Sequence, residues 1–136
     1  IKVVNKAIEK TLRGIDPSAY QCLLSIPGIG PVMAAGILSE IGDIQAFNSQ
    51  EALAKYAGLV WRENQSGNFQ ADDTPLSSHV KNHCSEFAAF YQKKYDEVKI
   101  HQHKRALALT ARKFIRLIFG LLANHQLYSS DRVVQA

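Results

Sequence analysis

Three features of the 136-residue sequence predict an all-α fold. Apolar residues recur at helical spacing, glycine, proline and capping residues punctuate the patterns at helix-length intervals, and no alternating strand pattern competes. Read in order, the elements are a helix-hairpin-helix, a long polar loop and two C-terminal helices.

The first pattern is amphipathic. Val4, Ile8 and Leu12 recur at fourfold spacing among Lys2, Lys6, Glu9, Lys10 and Arg13, which reads as a helix over residues 1–13 ended by Gly14. It opens without a cap, as the tail of a longer helix would. Asp16 followed by Pro17 is an N-cap and first turn, and the helix they begin is expected to reach Ile26. Pro27 cannot continue it. Gly28 and Gly30 admit backbone angles closed to other residues, and Pro31 suits the first turn of the next helix, expected over Pro31–Ile41 and stopped by Gly42. Asn48 with Glu51 resembles a capping box for a short helix, Ser49–Ala57, terminated by Gly58.

From Leu59 to Ser78 no helical period survives. This stretch of roughly 20 residues is long for a connection in a compact domain, and long ordered loops tend to carry function. Two helices then close the chain. The first, over Lys81–Val98, places Phe87, Phe90, Tyr91, Lys94, Tyr95 and Val98 along one side. The second, over Lys104–Asn124, has an apolar stripe of Leu107, Ala111, Phe114, Ile115, Ile118, Leu121 and Leu122, with Arg105, Arg112, Lys113 and Arg116 opposite.

Composition narrows the function classes. The net charge of +4 is uneven: residues 1–80 carry six Lys and Arg against eight Asp and Glu, whereas residues 81–136 carry ten against four. Basic character therefore belongs to the C-terminal part, the footprint of a surface facing polyanions or of helices that merely stay soluble. No run approaches the roughly 20 apolar residues that span a bilayer, and no signal peptide precedes the first helix, so a cytoplasmic location without membrane partners is expected. Cys22 and Cys84 form no metal-ligand pair and read as buried reduced thiols. His79, His83, Cys84, His101 and His103 fit no zinc spacing, and no metal site is assigned to this chain.

Two segments invite nucleic acid. In the hairpin, the backbone around Gly28, Ile29 and Gly30 faces outward at a helix N-terminus, where amides and the helix dipole accept a phosphate without reading a base. The residues that follow, Pro31, Val32 and Met33, are uncharged, and the alternative is a turn that only packs two helices. On the last helix, arginines spaced by seven and four residues can meet successive phosphates, or form a solvated outer face. Ser66, between Gln65 and Gly67, is read from spacing alone as a turn residue; as a nucleophile it would need activation from elsewhere.

Five segments in order then acquire a joint meaning: Ile26-Pro-Gly-Ile-Gly-Pro31, Glu40-Ile-Gly-Asp-Ile44, Leu53-Ala-Lys-Tyr-Ala-Gly-Leu59, Gln65-Ser-Gly67 and Ala111-Arg-Lys-Phe-Ile-Arg-Leu-Ile118. The pattern, from about Ile15 to Leu122, resembles the C-terminal domain of the DEDD-type, bridge-RNA-guided insertion-sequence transposases. The resemblance implies DNA and a guide RNA as partners and Ser66 as the nucleophile that cuts a phosphodiester and holds the strand as a phosphoserine. Magnesium would be bound by four acidic residues of a RuvC-like N-terminal domain, with no cofactor in this chain. Residues 1–14 would end a coiled-coil linker helix through which protomers associate, 15–128 would form the transposase domain (hairpin at 17–41, serine loop at 59–78, helical tail at 81–124), and 129–136 a flexible tail. Arg62 joins Gly28, Ile29, Gly30, Arg105, Arg112, Lys113 and Arg116 as candidate nucleic-acid contacts. The chain departs from the family in passing from Ser77 to Lys81 without a further helix rich in Leu and Arg, and in carrying Trp61 where Pro is common. The alternative function is a non-catalytic helix-hairpin-helix module that only holds nucleic acid.

Overall fold

Proline and glycine set the limits of the helices, in several places one or two residues from where the sequence suggests. The computed structural model describes residues 2–58 and 81–131, and among these every regular element is helical. Helix α1 runs Lys2–Ile15 and α2 Pro17–Leu24. Gly14 does not end α1. Pro17 does, because its ring disfavours a helical conformation at the preceding residue, and Asp16 takes φ −144° and ψ 83°. The carboxylate of Asp16 then caps α2, accepting from the Ala19 N–H at 2.9 Å.

Helix α2 stops at Leu24, short of the expected Ile26. Two successive turns follow, the Ile26 N–H donating to the Leu23 carbonyl and the Ile29 N–H to the Ile26 carbonyl, each at 3.1 Å. The reversal needs one glycine: Gly28 has φ +88°, whereas Gly30 has φ −92°, open to any residue. Helix α3, Pro31–Ile41, begins with Pro31 in its first turn and ends at Gly42, φ +66°. After a 3-10 turn at Ile44–Ala46, helix α4 covers Gln50–Tyr56. Its cap is Ser49, whose Oγ accepts from the Ala52 N–H at 3.2 Å, rather than Asn48 one residue earlier.

The expected single helix over Lys81–Val98 is divided. Residues 81–83 are helical, Cys84 is extended, and helix α5 occupies Ser85–Asp96. The break turns the Cys84 thiol inward, where it donates to Glu86 Oε2 at 3.1 Å and lies 3.3 Å from the Tyr128 hydroxyl. Helix α6, Gln102–Ala123, is the longest described element.

The core is assembled on α6. Its Phe114, Leu117, Ile118, Leu121 and Leu122 join Tyr20 and Leu23 of α2, Ile26 and Ile29 of the turn, Ala34 of α3 and Phe87 of α5 in one buried cluster. Phe87 and Phe114 meet edge to face, with centroids 5.6 Å apart, an arrangement aromatic quadrupoles favour. Thr110 is buried in the same stripe without cost to hydrogen bonding, since its hydroxyl donates to the Ala106 carbonyl at 2.7 Å. Helices α4 and α5 pack on α6, while α1 rests on α2 and α3. After α6 the chain turns back across α2: Ser18 Oγ and His125 Nδ1 are 3.0 Å apart, and the Tyr128 N–H donates to Ser25 Oγ at 2.8 Å. In α1, Leu12 packs against the core, but Val4 is 59% exposed, so the apolar seam has no cover at its first turn among the described residues.

The two hairpin glycines should therefore separate on mutation. Gly28→Ala forces a side chain into left-handed backbone and should cost about 1–2 kcal/mol in urea denaturation. At Gly30 an added Cβ meets nothing within 4 Å, and Gly30→Ala should cost less than about 1 kcal/mol. Equal losses at the two positions would contradict this account of the turn.

Candidate nucleic-acid interface

The arginine stripe of α6 is where sequence expectation and structure can be compared residue by residue. At 100° per residue, positions 105, 112 and 116 fall on one narrow arc, and position 113 lies to one side. All four side chains are half-buried rather than displayed on a solvated face. Arg105 turns toward the end of α5. Its guanidinium donates to the Lys94 carbonyl and to Glu97 Oε2, both at 3.0 Å. A cation here satisfies an orphan carbonyl and faces the negative end of the α5 dipole. Lys94 reaches the same carboxylate, 2.6 Å from Glu97 Oε1. The hydrogen bond from Lys94, with that from Arg105 behind it, holds the Glu97 carboxyl below the usual carboxylate range.

Lys113 turns to the same flank. Its ammonium lies 4.8 Å from the centroid of the Phe90 ring, which Lys94 approaches at 5.6 Å, a cation–π arrangement that ties α6 to α5. Burial, with the nearby Arg116 charge, pushes the Lys113 ammonium below its ordinary value. Arg116 lies toward α4 and contributes to lowering the Glu51 carboxyl, behind the larger effect of the Gln50 hydrogen bond. Arg105 and Lys113 are thus committed to the α5–α6 packing, and Arg112 and Arg116 carry the rest of the stripe.

The hairpin turn offers less to an anion than its glycines suggest. Ile29 is buried and its N–H is bonded within the turn. Gly30 heads α3 without a side-chain cap, and the neighbouring Pro31 and Val32 are exposed and uncharged.

Ser66 and Arg62 lie outside the described residues, as do Asp72, Asp73 and His79. The two ends of their segment are described. On one side α4 packs on α6, and its Tyr56 donates to the Glu40 carbonyl at 3.2 Å and meets Phe47 edge to face at 5.4 Å. On the other, the Lys81 ammonium sits 4.4 Å from the centroid of the Tyr91 ring, whose hydroxyl is 2.7 Å from His103 Nδ1. Both ends of residues 59–80 are therefore fastened to elements that pack on α6. Sequence reasoning missed the Lys81–Tyr91–His103 cluster, because a cation, a phenol and an imidazole so far apart in the chain carry no local signal. It also missed an apolar groove of about 780 Å³ between α3, α4 and α6, lined by Met33, Ile37, Ile41, Tyr56 and Ile115 among others. Among the described residues no three His, Cys, Asp or Glu side chains converge as a metal site, and no helix is long and apolar enough to cross a membrane. Cys22 and Cys84 are free and buried, and burial raises both thiols.

A helical domain with this stripe and these ordered motifs belongs to the mobile-element recombination proteins. The chain is a member of the IS116/IS110/IS902 transposase family, whose model matches residues 20–87, half of its length. Among curated relatives it is 34% identical over 62 residues to the transposase for insertion sequence element IS1111A of Coxiella burnetii, a match covering 44% of this chain and 17% of the relative. It is 43% identical over 63 residues to the mini-circle putative transposase for IS117 of Streptomyces coelicolor, covering 46% and 15%. A third relative, the pilin gene-inverting protein of Moraxella bovis, is 49% identical over 45 residues, covering 33% and 14%. The matched segments thus span less than a fifth of each relative. No solved structure gives a significant match.

The Glu97 latch makes a pH prediction. A carboxyl whose folded pKa is depressed stabilises the fold above its unfolded pKa and loses that contribution as pH falls. Glu97→Gln should therefore lower thermal stability at pH 7, with the gap to the parent closing as the pH is taken down to about 3. A gap that persists unchanged at pH 3 would show that the carboxylate charge is not what holds Arg105.

Proposed function

We propose that this chain is the C-terminal domain of a transposase that holds DNA on α6 and presents Ser66 as the nucleophile for strand cleavage and rejoining. The family membership of residues 20–87 supports the recombinase class. The single structural observation behind the assignment is that both ends of the segment containing Ser66 are fastened to elements packed on α6, the helix that carries Arg112 and Arg116. A cationic strip that binds the substrate orients its phosphates and compensates part of their charge. Ser66 Oγ attacks phosphorus, the P–O bond to one sugar oxygen breaks, and that oxygen takes up a proton. The phosphoserine keeps the ester linkage for rejoining without an external energy source.

In this reading Arg112 and Arg116 contact phosphates, Arg62 joins them from the serine segment, and the hairpin backbone at Gly28 and Gly30 adds a weaker contact at the head of α3. Arg105 and Lys113 shape the strip through α5. The hairpin at 17–41 acts mainly as scaffold. In this reading the DEDD acids and their magnesium belong to an N-terminal domain, as the family resemblance implies. A guide RNA and association through α1 complete the proposal, the latter supported by the uncovered apolar first turn at Val3 and Val4.

The test is a covalent adduct between the full-length transposase and labelled substrate DNA, trapped by denaturation. Ser66→Ala should abolish it while DNA binding persists; an undiminished adduct would reject the serine assignment. Reversing Arg112 and Arg116 to Glu should weaken DNA binding tenfold or more and reduce its salt dependence by about 1.8 in log–log slope, 0.9 per lost phosphate contact. Unchanged affinity would reject the α6 strip as the DNA surface. If Ser66→Ala leaves recombination intact while the arginine reversal reduces DNA binding, the domain is a non-catalytic nucleic-acid module.

A further inference from the structure

The turn between α5 and α6 carries exposed charge that the α6 stripe does not account for. Lys93, Lys99, His101 and Lys104 surround it and are exposed. The two acids at this end of α5 do not pair with them: Glu97 holds Lys94 and Arg105, and Asp96 accepts from Gln92, at 3.0 and 3.1 Å. Among the described residues no ion pair involves Lys93, Lys99 or Lys104. The same turn exposes Ile100 to 74% and places His101 in left-handed backbone, φ +55°, a region in which His, Asn and Asp are enriched among non-glycine residues. The Glu97 latch and the Gln102 side chain, which donates to the Tyr95 carbonyl at 3.2 Å, brace the turn against the end of α5.

We infer that this turn is a second DNA contact, docking on the phosphate backbone of a duplex through Lys99 and Lys104, with Lys93 at its edge. The inference rests on the DNA-binding reading above and adds a surface to it. Lys93, Lys94, Lys99, Lys104 and Arg105 outweigh Asp96 and Glu97 here, leaving the net positive charge that backbone recognition needs, and the scaffold is braced, so little order has to be created on binding. Duplex DNA is favoured as the occupant because this is a convex turn presenting point charges. A structured single strand calls instead for a groove with rings on which bases can stack, whereas the Tyr91 ring is already covered by Lys81.

The test compares two charge reversals of equal size in this chain, Lys99→Glu with Lys104→Glu, and Lys2→Glu with Lys6→Glu on α1. Each is checked by circular dichroism, and binding to a blunt DNA duplex is titrated at several salt concentrations. The turn variant should bind tenfold or more weakly and lose about 1.8 from the salt slope, while the α1 variant changes affinity less than threefold. The neutral pair Lys99→Gln with Lys104→Gln should show the same slope change, guarding against a folding artefact. Equal losses in the turn and α1 variants would reduce the effect to net charge and overturn the inference, as would an unchanged turn variant. A turn variant that loses binding to structured RNA but not to the duplex also overturns it. Failure of the parent chain to bind the duplex would reject the DNA reading itself, separately from the site.

Discussion

Burial of one face of α6 is the constraint on which the other elements depend. Phe114, Leu117, Ile118, Leu121 and Leu122 form a stripe that α2, α4 and α5 each meet from a different direction, and the remaining helices reach the core through these partners. A helix of 22 residues that buries one face against its neighbours carries its charged side chains on the opposite arc. That arc begins at Arg105 and runs through Arg112 to Arg116. The position of the charged strip is therefore a by-product of core packing: it lies on the side of α6 opposite its buried face.

The same packing divides the strip. Near the α5 end, the nearest available counter-charges are the Lys94 carbonyl and Glu97, and Arg105 is taken up by both. One step round the helix, Lys113 lies against Phe90. Farther along, α5 is left behind and the neighbour becomes α4, which offers only the exposed Glu51. A sequence that reads as four equivalent cations thus gives two that are tied to α5 and two half-buried ones beyond its reach, and the difference arises from which neighbour each meets.

What the sequence disclosed was local chemistry. Asp16-Pro17, Gly42 and Gly58 act through their own backbone or a neighbour a few residues away, and each marks a boundary at or within two residues of its expected place. The apolar stripe of α6 was legible for the same reason, since one helix face is a property of spacing alone. The misses all required a distant partner or a choice between adjacent candidates. Cys84 breaks a helix that periodicity would continue, and its thiol lies against Tyr128, 44 positions away. Ser49 rather than Asn48 caps α4, since Ser49 is the extended residue whose Oγ accepts from the Ala52 N–H. Gly30 is written like Gly28 but has ordinary backbone, so its identity answers to the helix start and not to the turn. For the candidate site, Arg105, Arg112 and Arg116 were correctly placed on one side of α6, but their neighbours could not be read, and Ser66 and Arg62 fall outside the described residues.

The proposal that packing splits the α6 cations into a structural pair and a DNA-binding pair is tested by one paired scan. Arg105→Gln and Arg112→Gln are measured for urea stability and for duplex affinity under the same buffer. Arg105→Gln should lower stability, by about 1–3 kcal/mol for hydrogen bonds to a charged donor, with a small change in affinity, while Arg112→Gln should weaken binding at nearly unchanged stability. If Arg105→Gln left stability intact and weakened binding as much as Arg112→Gln does, the four cations would form one undivided surface and the account would fail.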